Sequence, residues 1–249
     1  MTMIKIENLG YRFSDGSWGL QHINLTIEYG EFVVIAGANG SGKTTLLRHL
    51  NGLLQPSKGA IQLDGHDIGR DRRRARQVVG MVFQDADSQI VGETVYDDVA
   101  FGPENLCLPV DEIKRRVTLA LKAVGLFKQA RQRPHLLSGG EKRRLAIAGV
   151  LAMKPQVLAL DEPFANLDFP GTTEVLKQIL FLHRAGHTIV VATHDVEKVI
   201  AHADRVIVLQ KGAVVRVGVP ADIMGDLEPF GVRQPCAARL GLEVQPWLS

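Results

Sequence analysis

Residues 37–46 read GANGSGKTTL, and they follow the apolar run FVVIAG at 32–37. Three glycines and one lysine fall within the first seven positions. An apolar run of this length reads as a strand, and from Lys43 to Leu54 the glycines nearly vanish and the pattern becomes helical. A G-x-x-x-x-G-K-[ST] loop between a strand and a helix is a phosphate cradle. Gly37, Gly40 and Gly42 permit backbone conformations in which successive N–H groups converge on one anion, and the positive end of the helix dipole faces the same point. Lys43 adds a full positive charge for the β- and γ-phosphates, and the Thr44 hydroxyl is placed to ligate Mg2+. This loop commits the chain to nucleotide binding within an α/β fold.

Working outward, IKIENL (4–9) and INLTIE (23–28) read as strands separated by Gly, Asp and Ser turn signals. AIQLDG and VVGMVFQ return to strand character after the first helix, and VLALDEP, HTIVVATH and RVIVLQKGAVVRVG are later strands. Helices are expected around 172–184 and 196–202. In VDEIKRRVTLALKAVGL, residues Ile113, Val117, Ala120, Leu121 and Val124 share one face. Alternation of strands and helices predicts a mostly parallel sheet covered on both sides, with an antiparallel opening and a helical insert. One domain over 1–249 is expected: a nucleotide-binding core (1–87 and 154–220), a helical part (88–153) and a packed, irregular tail (221–249) containing Pro229, Pro235 and Pro246.

Composition narrows the functional classes. The 249 residues are 45% hydrophobic and 22% charged, which excludes disordered and collagen-like chains. A formal net charge of +2 argues against a nucleic-acid partner. The run GRDRRRAR, with five arginines between 70 and 76, is then read as a solvated face. Cys107 and Cys236 form neither a metal spacing nor a disulfide framework, which favours a reducing cytoplasm. His183 and His187 are four apart, but Gly186 ends the helix between them and no third ligand is near, so no metal site is expected there. Apolar runs are strand-sized, and the opening MTMIKIENLG lacks a signal-peptide core. Any membrane component must come from a partner.

Two further stretches carry chemistry. In VLALDEP (157–163), adjacent strand residues point to opposite faces, so Asp161 and Glu162 take different jobs. Asp161 would hold Mg2+ through a water, and Glu162 would polarise the water that attacks the γ-phosphate. In LLSGGEKRRLAIAGVLA (136–152), Ser138, Gly139 and Gly140 precede a helix with Leu145, Ala148, Gly149 and Ala152 on one face, giving a second helix start able to receive phosphate. Two such starts serve either two ligands on one chain or one ligand clamped between two chains; the residues alone leave both open.

The ordered set GANGSGKT, VFQ (82–84), LSGGE (137–141), VLALDEP, NLD (166–168) and THD (193–195) resembles the nucleotide-binding subunit of ABC transporters over residues 3–220. That resemblance implies a P-loop NTPase fold with a mostly parallel sheet, an antiparallel β subdomain and a helical signature subdomain. It implies Mg-ATP as substrate, with Gly37, Asn39, Gly40, Ser41, Gly42, Lys43, Thr44 and Thr45 around the phosphates. Gln84 matches the glutamine that senses Mg2+ and the attacking water, and Asp161 with Thr44 the metal position. Glu162 matches the catalytic base and His194 the switch histidine on the γ-phosphate. Ser138, Gly139, Gly140 and Glu141 match the signature that contacts ATP across a dimer, and Asp168 the loop that links the two sites. Tyr11 stands at the adenine-stacking position, with Phe13 as the alternative. Glu141 replaces the more usual Gln, and Asn166 occupies a position where small residues are common.

The segment DADSQIVGETVYDDVAFGPENLCLP after Gln84 resembles energy-coupling-factor ATPases, including the cobalt and nickel import branch. The resemblance implies a second ATPase chain, identical or closely related, a transmembrane coupling protein and a substrate-binding membrane protein. It places the chain peripherally on the cytoplasmic face of the membrane. Ile90, Val91, Val95, Val99 and Phe101 would supply apolar docking surface, with Val95 and Val99 alternatively packed inside the helical part. Glu93, Asp97 and Asp98 would meet basic residues of the partner. Competing readings are a soluble ABC ATPase of cofactor assembly and the ATPase of another ABC transporter.

Overall fold

Strand β3 (Phe32–Ala36) is buried along its whole length, and its side chains alternate between two cores. Phe32, Val34 and Ala36 join the cluster under the helical part, whereas Val33 and Ile35 join the cluster under the antiparallel sheet. A strand covered on both faces reads as a continuous apolar run, which is why FVVIA shows no polar alternation. The computed structural model describes residues 1–248; Ser249, the end of the expected tail, lies outside the described residues.

The chain opens with β1 (Thr2–Arg12) and β2 (Trp18–Glu28) before β3, and α1 (Lys43–Leu50) follows. Next come β4 (Lys58–Leu63), β5 (His66–Asp67), α2 (Arg72–Val78) and β6 (Val79–Val82). The helical part holds α3 (Val95–Asn105), α4 (Val110–Ala123) and α5 (Gly139–Leu151). The chain then alternates through β7 (Val157–Asp161), α6 (Phe169–Arg184) and β8 (Thr188–Thr193). It closes with β9 (Arg205–Gln210), β10 (Ala213–Gly218), α7 (Pro220–Ile223) and α8 (Cys236–Arg239).

One sheet is antiparallel, in the order β2-β1-β4-β5. The other has the order β10-β9-β3-β8-β7-β6 and is parallel except for β10. Its register decides where the chemistry sits. Ala36 pairs with Thr193, Ala192 with Asp161, and Leu160 with Val82, so β3, β8, β7 and β6 all end in one row. Ligands of open α/β sheets bind beyond the carboxyl ends of such strands.

The expected elements stand, with local differences. The first helix stops at Leu50 instead of 54, because Gly52 turns left-handed (φ 72). In place of a helix over 196–202 there is one 3-10 turn, Ile200–His202. Val196, Val199 and Ile200 are all buried in the core, and a segment this short gains more from packing than from helix nucleation. The long helix α6 begins three residues earlier than expected, at Phe169, because the Asp168 side chain accepts from Gly171 N and caps it. On α4 the predicted face is buried, at Val117, Ala120 and Leu121. In the tail, Leu227 and Val232 are buried, and Trp247 packs on Phe169 at 5.2 Å between ring centres.

Candidate functional site

The loop between β3 and α1 is shaped by its glycines. A Cβ on Gly37 would overlap Ser41 Oγ and the Leu209 carbonyl, and Gly42, the N-cap of α1, has φ 108. The first N–H groups of a helix have no intrahelical acceptor, so the start of α1 is an anion receptor by construction. Lys43 is 6% exposed. Its Nζ donates to the carbonyl oxygens of Gly37 (2.8 Å) and Ala38 (3.2 Å) and lies 3.6 Å from Glu162 Oε1. Burial pushes the Lys43 pKa down, and the neighbouring Glu162 opposes that shift. A buried ammonium held by neutral carbonyls and one carboxylate is well placed to be met by phosphate oxygens.

Beside it, the Thr44 hydroxyl donates to Asp161 Oδ2 at 2.7 Å. Asp161 Oδ1 is buried and has no hydrogen-bond partner, and burial pushes the Asp161 pKa up. A cation at this point would reverse that shift and satisfy the orphaned oxygen. A hydroxyl and a carboxylate oxygen facing a phosphate site suit Mg2+, which takes its remaining ligands from phosphate and water. Among the described residues, no group of three His, Cys, Asp or Glu side chains could hold a metal ion by itself. His187 is half-buried, and His183 Nε2 lies 2.9 Å from the Gly30 carbonyl.

Glu162 sits one residue beyond β7 in the left-handed region, with φ 45. Its own N–H donates to Ala192 O at 2.8 Å. The carboxylate accepts from Thr193 Oγ1 (2.9 Å) through Oε2 and from His194 N (3.0 Å) through Oε1, and His194 Nδ1 lies 2.8 Å from Oε1. Backbone strain of this kind costs about 1–3 kcal/mol and persists where surrounding bonds over-determine it. Glu162 and His194 thus form one unit, with Lys43 beside it.

A cavity of about 620 Å3 gathers these parts: Asn39, Gly40, Gly42, Lys43, Thr44, Thr45, Gln84 and Glu162 line it, closed by Lys211 and Gly212. Its far wall is Phe13, Trp18 and Gly19, tied to the turn at 211–212 by Gln21 N donating to Gly212 O at 2.7 Å. Tyr11 does not line this cavity. Its ring packs edge-on against His49 (4.8 Å) and Phe13 (5.2 Å). Phe13 is 43% exposed and lines the cavity. Of the two aromatic residues it is therefore Phe13 that reaches the cavity; it lies one residue beyond β1, whose register shifts between Leu9 and Arg12 turn the chain there.

Ser138, Gly139, Gly140 and Glu141 stand apart from this cavity. They line a separate groove with Asn166, Leu167 and Asp168. Ser138 caps α5 in a reciprocal box: Glu141 N donates to Ser138 Oγ (3.2 Å) and Ser138 N to Glu141 Oε2 (2.8 Å). Glu141 keeps the box that its neutral counterpart would form. The two groups of site residues share no lining side chain.

A third depression, of about 380 Å3, lies between β6 and helices α3 and α5 and is lined by Leu53, Met81, Phe83, Val91, Phe101 and Met153 among others. Val91 and Phe101 are 60% and 53% exposed, whereas Val95 and Val99 are buried in the helical core. Of the three acidic residues expected to face a partner, Asp98 is spent inside the chain, whereas Asp97 stays exposed while capping its helix. Asp98 is 8% exposed, and its Oδ1 accepts from Val91 N (2.7 Å) and Gly92 N (3.0 Å); Asp97 forms a capping box with Thr94. Only Glu93 of the three is exposed without a bond of this kind. The T-x-x-D spacing from Thr94 to Asp97 is a capping pattern legible in the sequence, whereas the turn of 91–92 back onto Asp98 is a loop geometry that no spacing encodes.

The sequence profile of the ABC transporter family matches residues 20–165, more than half of the chain. A relative from Methanocaldococcus jannaschii, an energy-coupling factor transporter ATP-binding protein EcfA, is 43% identical over 246 residues, covering 96% of this chain and 88% of its own.

The chain belongs to the ABC transporter family, in its energy-coupling-factor ATPase branch.

Like its relatives, this ABC ATPase is an ATP-hydrolysing subunit. A putative ABC transporter ATP-binding protein of Halobacterium salinarum is 48% identical over 233 residues, 94% of this chain and all of that one. The solved structure of cbiO1 from Clostridium perfringens, part of the ABC transporter complex cbiONQ, superposes with a TM-score of 0.84 at 40% identity, covering 96% and 98% of the two chains. The mixed fold of parallel sheet, antiparallel sheet and helical part is thus that of this ABC ATPase family. Among the described residues, no helix is long and apolar enough to cross a membrane.

Proposed function

We propose that this ABC ATPase powers a membrane importer of the energy-coupling-factor type, carrying a transition-metal ion such as cobalt or nickel, or a vitamin. The observation that carries the reading is the apolar depression beside the Gln84 segment, with Val91 and Phe101 exposed at its edge. Exposed apolar side chains beside a groove suit a helix of a partner protein laid into it. A transmembrane coupling protein would fill it, placing the ATPase peripherally at the cytoplasmic face of the membrane, and a separate membrane protein would capture the cargo.

The working unit in this reading is a pair of chains, identical or closely related. Each signature groove, with Ser138 and Asp168, would close over the phosphate cavity of the other chain, because one chain holds both halves in separate places. Thr44 and Asp161 would hold Mg2+, which supplies charge neutralisation at the β- and γ-phosphates. Lys43 binds the same phosphates, Gln84 orients the water, and Glu162 accepts its proton at Oε1 or Oε2 while His194 holds the carboxylate in place. Phe13 stacks on the adenine.

Purification of the tagged chain from its native host in mild detergent, followed by mass spectrometry, tests the reading. Recovery of a transmembrane protein together with a small substrate-binding membrane protein supports it. Recovery of soluble scaffold proteins alone would move the chain to cofactor assembly.

A further inference from the structure

Two consecutive residues of α5 grip the segment that carries Gln84. Arg143 is 4% exposed, and it reaches across the fold to donate from Nη1 to the Phe83 carbonyl (2.6 Å) and from Nη2 to the Gln84 carbonyl (2.7 Å). Its neighbour Lys142 forms an ion pair with Asp87 at 2.6 Å. From the other side, Gln89 braces the same segment: Phe83 N donates to its Oε1 at 3.0 Å, and its Nε2 donates to Met81 O at 3.1 Å. A buried guanidinium is costly to keep unless its donors are met, and here two are met by main-chain carbonyls of a loop, while Nε has no partner. Burial pushes the Arg143 pKa down, opposed by Asp85 and Asp161 nearby.

The same helix is capped by Ser138, inside the signature groove, and Gln84 lines the phosphate cavity. We propose that Arg143 is a positioning residue that ties the signature helix to Gln84, so that the setting of the signature groove is felt at the chain's own phosphate cavity. The tie is short and doubly bonded, so a small rotation of α5 displaces the Gln84 main chain rather than stretching a long flexible link. Within the paired arrangement proposed above, on which this last step rests, engagement of a signature by the partner's ATP would set Gln84 in the chain that owns that signature. The two sites would then hydrolyse cooperatively.

The test uses the full chain with Mg-ATP. Arg143→Lys, which keeps the charge but reaches one carbonyl only, is expected to lower kcat by about 10- to 100-fold, as misplacement of a catalytic group does, with nucleotide affinity within about twofold of the parent. The Hill coefficient for ATP hydrolysis falls toward one. Placed in a Gln84→Ala background, Arg143→Lys changes kcat no further, because the two act as one unit. Lys142→Ala, at a partly exposed pair, shows the same non-additivity with a smaller effect and keeps the test open if the buried variant does not fold. Unchanged kcat and Hill coefficient in a folded Arg143→Lys chain overturns the proposal, as does a multiplicative loss in the double variant. Pairing is read separately, by gel filtration of Glu162→Gln with ATP. A chain that pairs while Arg143→Lys hydrolyses normally refutes the tie alone; a chain that does not pair but loses kcat non-additively supports the tie and refutes the signal between sites.

Discussion

Glu162 Oε1 lies 2.8 Å from His194 Nδ1 and accepts the His194 backbone N–H at 3.0 Å, so one oxygen is held twice by one residue. Its second oxygen takes the Thr193 hydroxyl at 2.9 Å. These bonds fix the direction of the carboxylate. Glu162→Gln keeps the shape but not the basicity, and is expected to reduce steady-state phosphate release by about 100-fold or more. ATP binding should survive and an ATP-bound dimer accumulate on gel filtration; undiminished phosphate release would remove Glu162 from the catalytic role.

Phe13 lines the cavity and Tyr11 does not. Phe13→Ala is expected to raise the KM for ATP by about 3- to 10-fold, the loss of a stacking contact of about 0.5–1.5 kcal/mol, with kcat little changed. Tyr11→Ala should instead lower the melting temperature, because the ring packs on His49 and the core. The reverse pattern in the two titrations would return the stacking role to Tyr11.

Asp98 organises the segment next to the proposed docking groove. Asp98→Ala leaves the N–H groups of Val91 and Gly92 without their acceptor, and a destabilisation of about 1–3 kcal/mol is expected in denaturant unfolding. A substitution without effect on the unfolding midpoint would show that water replaces both bonds.

Val91→Glu puts a charge on the exposed edge of the apolar depression without touching the phosphate cavity. Basal ATPase activity should persist while co-purification with the membrane partner and cargo uptake are lost. Full uptake by this variant contradicts the groove as the docking site.

Acid stability carries the sign of a buried imidazole. Burial pushes the His49 pKa below its ordinary value of 6.5, and the Thr45 carbonyl opposes that only in part. The unfolded chain therefore binds the proton first, so stability present above pH 6.5 is lost as pH falls from 6.5 toward the folded value, by up to about 1.4 kcal/mol per pKa unit of difference. His187 and His202 shift in the same direction for the same reason. Melting temperatures should drop between pH 7.5 and 5.5, and His49→Leu should flatten that slope; an unaltered slope would assign the effect to the other two.

The phosphate loop was legible because its chemistry is local. Glycines, lysine and threonine within ten residues, between a strand and a helix, dictate a nest of N–H groups whatever the rest of the chain does. The same holds for the buried face of α4, which follows from spacings of three and four residues. Asp161 and Glu162 were readable as residues at a strand end and His194 through the family resemblance; the parallel register, with Asp161 opposite Ala192, then brings the ends of β7 and β8 together.

What the sequence alone determined about this protein is its nucleotide chemistry and its alternation of strands and helices, both set by short-range geometry. The tertiary structure decided which of Tyr11 and Phe13 faces the cavity, which apolar residues after Gln84 stay exposed, and that Asp98 and Arg143 are committed to carbonyl and amide groups of another segment. Those outcomes depend on β-bulges and on packing between segments as much as 60 residues apart. A side chain's neighbours across such a separation are settled by the competition to bury area and to pair buried polar groups, and no local pattern encodes the result.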